Sequence, residues 1–203
     1  MKRHLAALFL AFVDMLVCAL IYALAAIVPV HAKIDGVKPK AEYLIQMDYD
    51  VTRDLDLDLW VVGPTRKPVF YGSRDVGCAS LDRDSLGFST SKITLADGSV
   101  VQAKSNQETV SLRCLEVGHY DVAVNLFSYH SDSGEPITAH LEITGLNPSV
   151  RTLWAGDVTL KHNGETQNAI SFDLDKDGHV TLVPVPLEPV TSAYERAKAG
   201  GAP

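Results

Sequence analysis

Asp54-Leu55-Asp56-Leu57-Asp58-Leu59-Trp60-Val61-Val62-Gly63-Pro64 alternates acid with leucine and then closes on a turn. A period of two puts the leucines on one face and the carboxylates on the other, as in a half-buried β-strand, whereas a helix would scatter both sets around its axis. The same alternation appears upstream, where Tyr43, Ile45, Met47 and Tyr49 interleave with Leu44, Gln46, Asp48 and Asp50. Downstream, Tyr120, Val122, Val124 and Leu126 interleave with Asp121, Ala123, Asn125 and Phe127. Turn signals separate such runs: Gly63-Pro64, Gly72-Ser73, Asp97-Gly98, Gly118, Ser133-Gly134, Asn147-Pro148, Asn163-Gly164 and Asp177-Gly178. Asp-Gly and Asn-Gly tolerate the positive φ of tight hairpins, so the pattern predicts roughly eight to ten short strands. The expected fold is an all-β antiparallel β-sandwich, Ig-like or jelly-roll-like, over residues 41–188. A C-terminal tail, 189–203, holds one candidate short helix, Val190 to Ala199, with Ser192 as its cap.

A different pattern precedes the strands. Leu5 to Val30 is apolar apart from Asp14 and follows Lys2 and Arg3. At about 1.5 Å per residue such a helix exceeds the ~30 Å hydrocarbon core of a bilayer. The basic tip predicts a cytoplasmic N-terminus, so residues 1–31 read as a cytoplasmic tip and single membrane helix, 32–40 as a linker, and the rest as a periplasmic domain at a bacterial inner membrane. A cleaved signal peptide ending near Val30-His31-Ala32 is the rival reading; against it stand the length of the apolar run and the acid inside it. A carboxylate in hydrocarbon costs roughly 2.5–3.5 kcal/mol on insertion scales, which makes Asp14 a candidate proton carrier or helix–helix contact.

Composition narrows the partners. The chain has 203 residues, 46% of them hydrophobic, a net charge of −7 and no Lys/Arg-rich run, so nucleic acid is not an expected ligand. Of the three cysteines, Cys18 falls in the apolar segment, whereas Cys78 and Cys114 lie in the exported part and form a candidate disulfide.

The densest chemistry is the acidic run itself. On a strand, Asp54, Asp56 and Asp58 form a row of like charges about 6.5–7 Å apart that calls for neutralisation. With Asp82 and Asp84 from a nearby loop they make a candidate calcium site, since calcium takes six to eight oxygen ligands. The competing reading is a solvated face with Arg53, Arg66, Arg74 and Arg83 as counter-charges. Asp173-Leu174-Asp175-Lys176-Asp177-Gly178 opens like an EF-hand loop, but Pro184 stands where that loop needs a glutamate, and the flanks alternate as strands, so a hairpin turn is expected. Neither a G-x-S-x-G elbow nor an H-E-x-x-H helix is present, and no enzyme activity is expected.

Two resemblances follow from these motifs. The acidic strand, Val69-Phe70-Tyr71-Gly72, Leu81-Asp82-Arg83-Asp84 and Val117-Gly118-His119-Tyr120-Asp121-Val122, in that order, resemble the YfaP-type bacterial domains of unknown function over roughly Asp50 to Thr144. That likeness implies a β-sandwich related in shape to calcium-binding and carbohydrate-binding modules, and no activity. Phe12-Val13-Asp14-Met15-Leu16-Val17 is similar to the membrane helix of the ExbD, TolR and MotB family, though the usual proline before the aspartate is missing. The likeness implies an ion-driven complex in which Asp14 carries a proton beside an ExbB-like or MotA-like partner. The sequence therefore supports two expectations: a membrane-anchored, non-enzymatic binding or assembly module, or a subunit of such a motor.

Overall fold

Alternation becomes burial in β1 (Tyr43–Tyr49), where Tyr43, Ile45, Met47 and Tyr49 are buried and the residues between them only partly so. The computed structural model describes residues 12–20, 40–87, 92–103, 105–130, 135–192 and 194. The chain divides into two units, Met1–Lys38 and Pro39–Pro203.

In the first unit, residues 12–20 are helical, with Asp14 and Cys18 exposed along with Phe12, Met15, Leu16 and Leu20. Among the described residues no helix is long and apolar enough to cross a membrane. The remainder of the expected span, Leu5 to Val30, lies outside the described residues.

The second unit is built from antiparallel strands. After β1 come β2 (Leu55–Val62), β3 (Pro68–Val69), β4 (Asp75–Val76), β5 (Ala79–Arg83), β6 (Lys92–Thr94), β7 (Val100–Gln102) and β8 (Asn106–Leu112). Then follow β9 (Gly118–Tyr129), β10 (Ile137–Gly145), β11 (Arg151–Leu160), β12 (Thr166–Leu174) and β13 (Val180–Val183). One sheet runs β11-β10-β1-β8-β5-β4, a second runs β13-β12-β9-β2-β3, and β6 and β7 form a small ribbon of their own. Ile45, Met47, Val110, Leu112, Leu141 and Ile143 of the first sheet share one core with Leu57, Leu59, Val61, Val122, Leu126 and Phe172 of the second. Each such side chain stabilises the fold by about 1.5–3 kcal/mol through removal of apolar surface from water. The all-β sandwich read from the alternation is therefore the fold of this unit.

Cys78, just before β5, and Cys114, just after β8, form a disulfide with their Cα atoms 5.3 Å apart. It closes 36 residues of chain, worth on the order of 3–4 kcal/mol in the chain-entropy account.

The turn signals fare unevenly. Asp177-Gly178 makes the expected hairpin, with Leu174 paired to Val180 and the Asp175 carboxylate accepting the backbone N–H groups of Asp177 and His179. Asn163-Gly164 instead carries the chain from β11 in the first sheet to β12 in the second. A turn residue specifies that the chain reverses; which sheet receives the next strand is decided by which faces remain to be buried.

The tail packs on the second sheet's outer face. Asn168 of β12 donates to the carbonyls of Pro186 and Glu188 and accepts from the Val190 N–H. This brings Val190 and Tyr194 onto Trp60, Phe70 and Ala123. Trp60 stacks on Phe70 with ring centroids 4.0 Å apart, and Tyr194 meets both rings edge-on. Ser192 and Tyr194 are helical, while Glu195 to Ala199 of the expected helix lie outside the described residues.

Candidate functional site

The acidic strand has its leucines in the core, which sends Asp56, Asp58 and Trp60 to the outer face of the second sheet. Along its lower half β2 has one strand neighbour only: β9 pairs with it from Leu55 to Val62, but β3 reaches only Val61 and Val62. The exposed stretch of that edge is closed by a side chain and a loop. Glu108, on β8 of the opposite sheet and in phase with core residues Val110 and Leu112, accepts the Leu59 N–H at 2.7 Å. The loop after β5 lies alongside, with the Ser85 N–H donating to Glu108 at 3.4 Å and the Tyr49 hydroxyl donating to the Ser85 carbonyl. Gly87 in this loop has φ +62°, and a Cβ there would collide with the Leu55 carbonyl oxygen, so only glycine fits so close to the strand.

This arrangement gathers three carboxylates from two sheets. Asp56, Asp58 and Glu108 each bring one oxygen to within 4.8 Å of the other two. Asp58 is 5% exposed and Glu108 1%. Among the described residues no cationic side chain pairs with any of the three, and Asp56 Oδ1 and Asp58 Oδ2 are buried without a hydrogen-bond partner. Their pKa values follow from that setting. Burial pushes the Glu108 carboxyl up to about 9 despite the Leu59 N–H bond. Burial, then the Asp56 and Asp84 charges, push Asp58 to about 7. Burial and Asp84 push Asp56 to about 6.

Above the two aspartates is a cleft of about 220 Å³ walled by Tyr71, Leu86 and Phe127. Tyr71 and Phe127 meet edge to face at 5.6 Å and are exposed, at 44% and 54%. Phe127 reaches this position because the β2–β9 register shifts at Asp56/Leu57, leaving it as the unpaired residue between Leu126 and Ser128. A second cleft of about 340 Å³, lined by Trp60, Phe70, Asn125 and Tyr194, shares Tyr71 and Phe127 with the first. Among the described residues the buried Trp60 indole N–H has no partner.

The other acids of the expected site go elsewhere. Asp54 is exposed beside His130, at 3.7 Å. Asp82 receives Arg113 on both oxygens, at 2.6 and 2.7 Å. Asp84 pairs with Arg74 at 2.9 Å and acts on the three carboxylates only as a nearby charge. Asp56 and Asp58 thus remain from the set read in the sequence, and Glu108 is the member that reading lacked. Its signal was present, because the period-two phase of Glu108-Thr109-Val110-Ser111-Leu112 puts the acid on the same face as two core residues.

A second buried acid is fully partnered. Asp121, 2% exposed, accepts the Ser171 hydroxyl at 2.7 Å, faces His119 Nε2 at 2.9 Å and pairs with Arg66 at 3.2 Å. His119 Nδ1 lies 2.8 Å from Asp173. Asp175, Asp177 and His179 form another group of metal-ligand type, exposed in the β12–β13 turn.

No protein-family model matches this chain, and neither the curated proteins nor the solved structures contain a significant match.

Proposed function

We propose that this chain is a single-pass inner-membrane protein that presents its β-sandwich to the periplasm as a non-enzymatic binding module. The observation that carries this reading is the paired cleft on the outer face of the second sheet. There two exposed rings, Tyr71 and Phe127, stand over buried carboxylates and beside an unpartnered indole N–H. Flat rings offer CH–π contact to a sugar ring, and carboxylates accept its hydroxyls, so the chemistry suits a hydroxyl-rich ligand of the saccharide class. The Cys78–Cys114 disulfide supports an oxidising compartment. The basic tip and the apolar segment around Asp14 support the anchor.

The ligand is tested by titrating the full chain in detergent with a panel of soluble oligosaccharides while following tryptophan fluorescence. Binding lost in the Tyr71→Ala, Phe127→Ala double variant supports the reading; no binding by any member sinks it. Alkaline phosphatase fused after Pro203 should be active in cells, and an inactive, stable fusion would refute periplasmic placement.

A second reading rests on Asp14, which sits among exposed apolar residues in the helix at 12–20. In that reading the chain is an ExbD-like or MotB-like subunit beside an ExbB-like or MotA-like partner, and Asp14 carries the proton. It predicts that Asp14→Asn co-purifies with the partner but abolishes ion-driven work. Work that survives the substitution removes this reading.

A further inference from the structure

We propose that Asp56, Asp58 and Glu108 bind one calcium-class divalent cation at the edge of β2, with the cleft above them supplying the open coordination positions. The cluster alone would not carry this. The second observation is Asp58, whose Oδ2 has no hydrogen-bond partner among the described residues although the residue is only 5% exposed. Burying a carboxylate oxygen without a donor is costly, and chains avoid it unless a proton or a cation stands in for the donor.

The donor set selects the ion. All three ligands are carboxylate oxygens, with neither sulfur nor imidazole in the group, which suits a hard cation. Their spacing, within 4.8 Å, leaves a central ion at or just beyond a calcium–oxygen bond of about 2.3–2.6 Å, so a small inward turn of the carboxylates lets one ion reach all three. Magnesium demands a tighter octahedron and holds its water more firmly, which favours calcium here. Three carboxylates fill at most half of a calcium shell. The remaining positions face the cleft walled by Tyr71, Leu86 and Phe127, where water or a ligand oxygen completes the shell. Glu108 gives the ion a structural consequence: it comes from the first sheet while Asp56 and Asp58 belong to the second, so the cation ties the two sheets together where β3 no longer covers the edge.

This proposal concerns the metal alone and stands or falls separately from the saccharide reading. The full chain in detergent is stripped with chelator and melted with and without calcium. At calcium a hundredfold above its dissociation constant the melting temperature of the sandwich should rise by roughly 5–10 °C, because the ion binds only the folded state. Magnesium should give a smaller rise. Asp58→Asn and Glu108→Gln should each abolish the calcium response, whereas Asp177→Asn, in the exposed turn, should leave it intact. Terbium luminescence sensitised by the nearby tyrosines supplies a second readout on the unaltered chain, and calcium should displace it. The proposal is overturned by an unchanged melting temperature together with no terbium signal. It is equally overturned by a calcium response that persists in Asp58→Asn and Glu108→Gln, or one that disappears in Asp177→Asn.

Discussion

Two buried acidic groups share the outer face of the second sheet, and both sit on the β2–β9 pair: Asp121 stands opposite Val62, and Asp58 opposite Asn125. Around Asp121 the chain supplies its own neutralisation, with an arginine, a histidine and a serine hydroxyl within 3.2 Å. Around Asp58 the neighbours are two more carboxylates, and the cross-strand Asn125 turns its amide toward Thr166 and the Glu165 carbonyl instead. The cost of burying charge is the same at both sites, so the difference lies in where the counter-charge originates. A group neutralised from within serves the fold. One that leaves the counter-charge to solution is poised to respond to what solution contains.

The comparison breaks most visibly on removing each acid. Asp121→Ala strands the Ser171 hydroxyl, takes from Arg66 its acid and leaves His119 with Asp173 alone, and should destabilise the sandwich by about 2–4 kcal/mol in chemical denaturation, at any calcium level. Asp58→Asn should act with the opposite sign in chelator: it removes a buried acid crowded by the Asp56 and Asp84 charges and should stabilise by roughly 1 kcal/mol or less. In saturating calcium the same variant should be the less stable protein. If both substitutions destabilise equally in chelator, the contrast between the two sites is wrong.

Ser171→Ala sharpens the same comparison at smaller scale. The hydroxyl is fully buried and donates to an ionised acid, so its loss should cost about 1.5–3 kcal/mol. Denaturation of this variant with and without calcium should give parallel shifts, because Ser171 belongs to the group that neutralises itself. A calcium-dependent difference would show that the two sites communicate.

Much of this face could be read from alternation. Leu55, Leu57 and Leu59 declared the core side of β2, and that placed Asp56 and Asp58 outside it. Periodicity could not rank the acids. Asp54, Asp82 and Asp84 have the same chemistry as Asp58, but each folds next to His130, Arg113 or Arg74, and those pairings arise from long-range packing. Glu108 is 49 residues from Leu59, whose N–H it binds, and only the pairing of sheets brings them together. The aromatic cover of Trp60 and Phe70 by Tyr194 was equally illegible, because it depends on Asn168 pinning the tail. The anchor reading rests on composition alone, since most of its residues lie outside those described.

The smallest expected effect concerns protons at the self-neutralised site. Burial draws the His119 pKa down, but hydrogen bonds to Asp173 and Asp121 and the charges of both acids outweigh it, so the imidazole titrates above its ordinary value. With the folded pKa raised, the folded state binds the proton more tightly than the unfolded chain does. The stabilisation is therefore complete below about pH 6.5, the unfolded value, and fades as pH rises through the folded one. NMR titration of the His119 ring should place its midpoint above the ordinary imidazole value. His119→Gln should flatten the decline in stability on the alkaline side of pH 6.5, at a cost below about 1 kcal/mol, since the ring is partly exposed and the pairing is screened. A His119 midpoint at or below the ordinary value would mean that Arg66 and Ser171 alone neutralise Asp121, and the histidine would lose its place in the comparison.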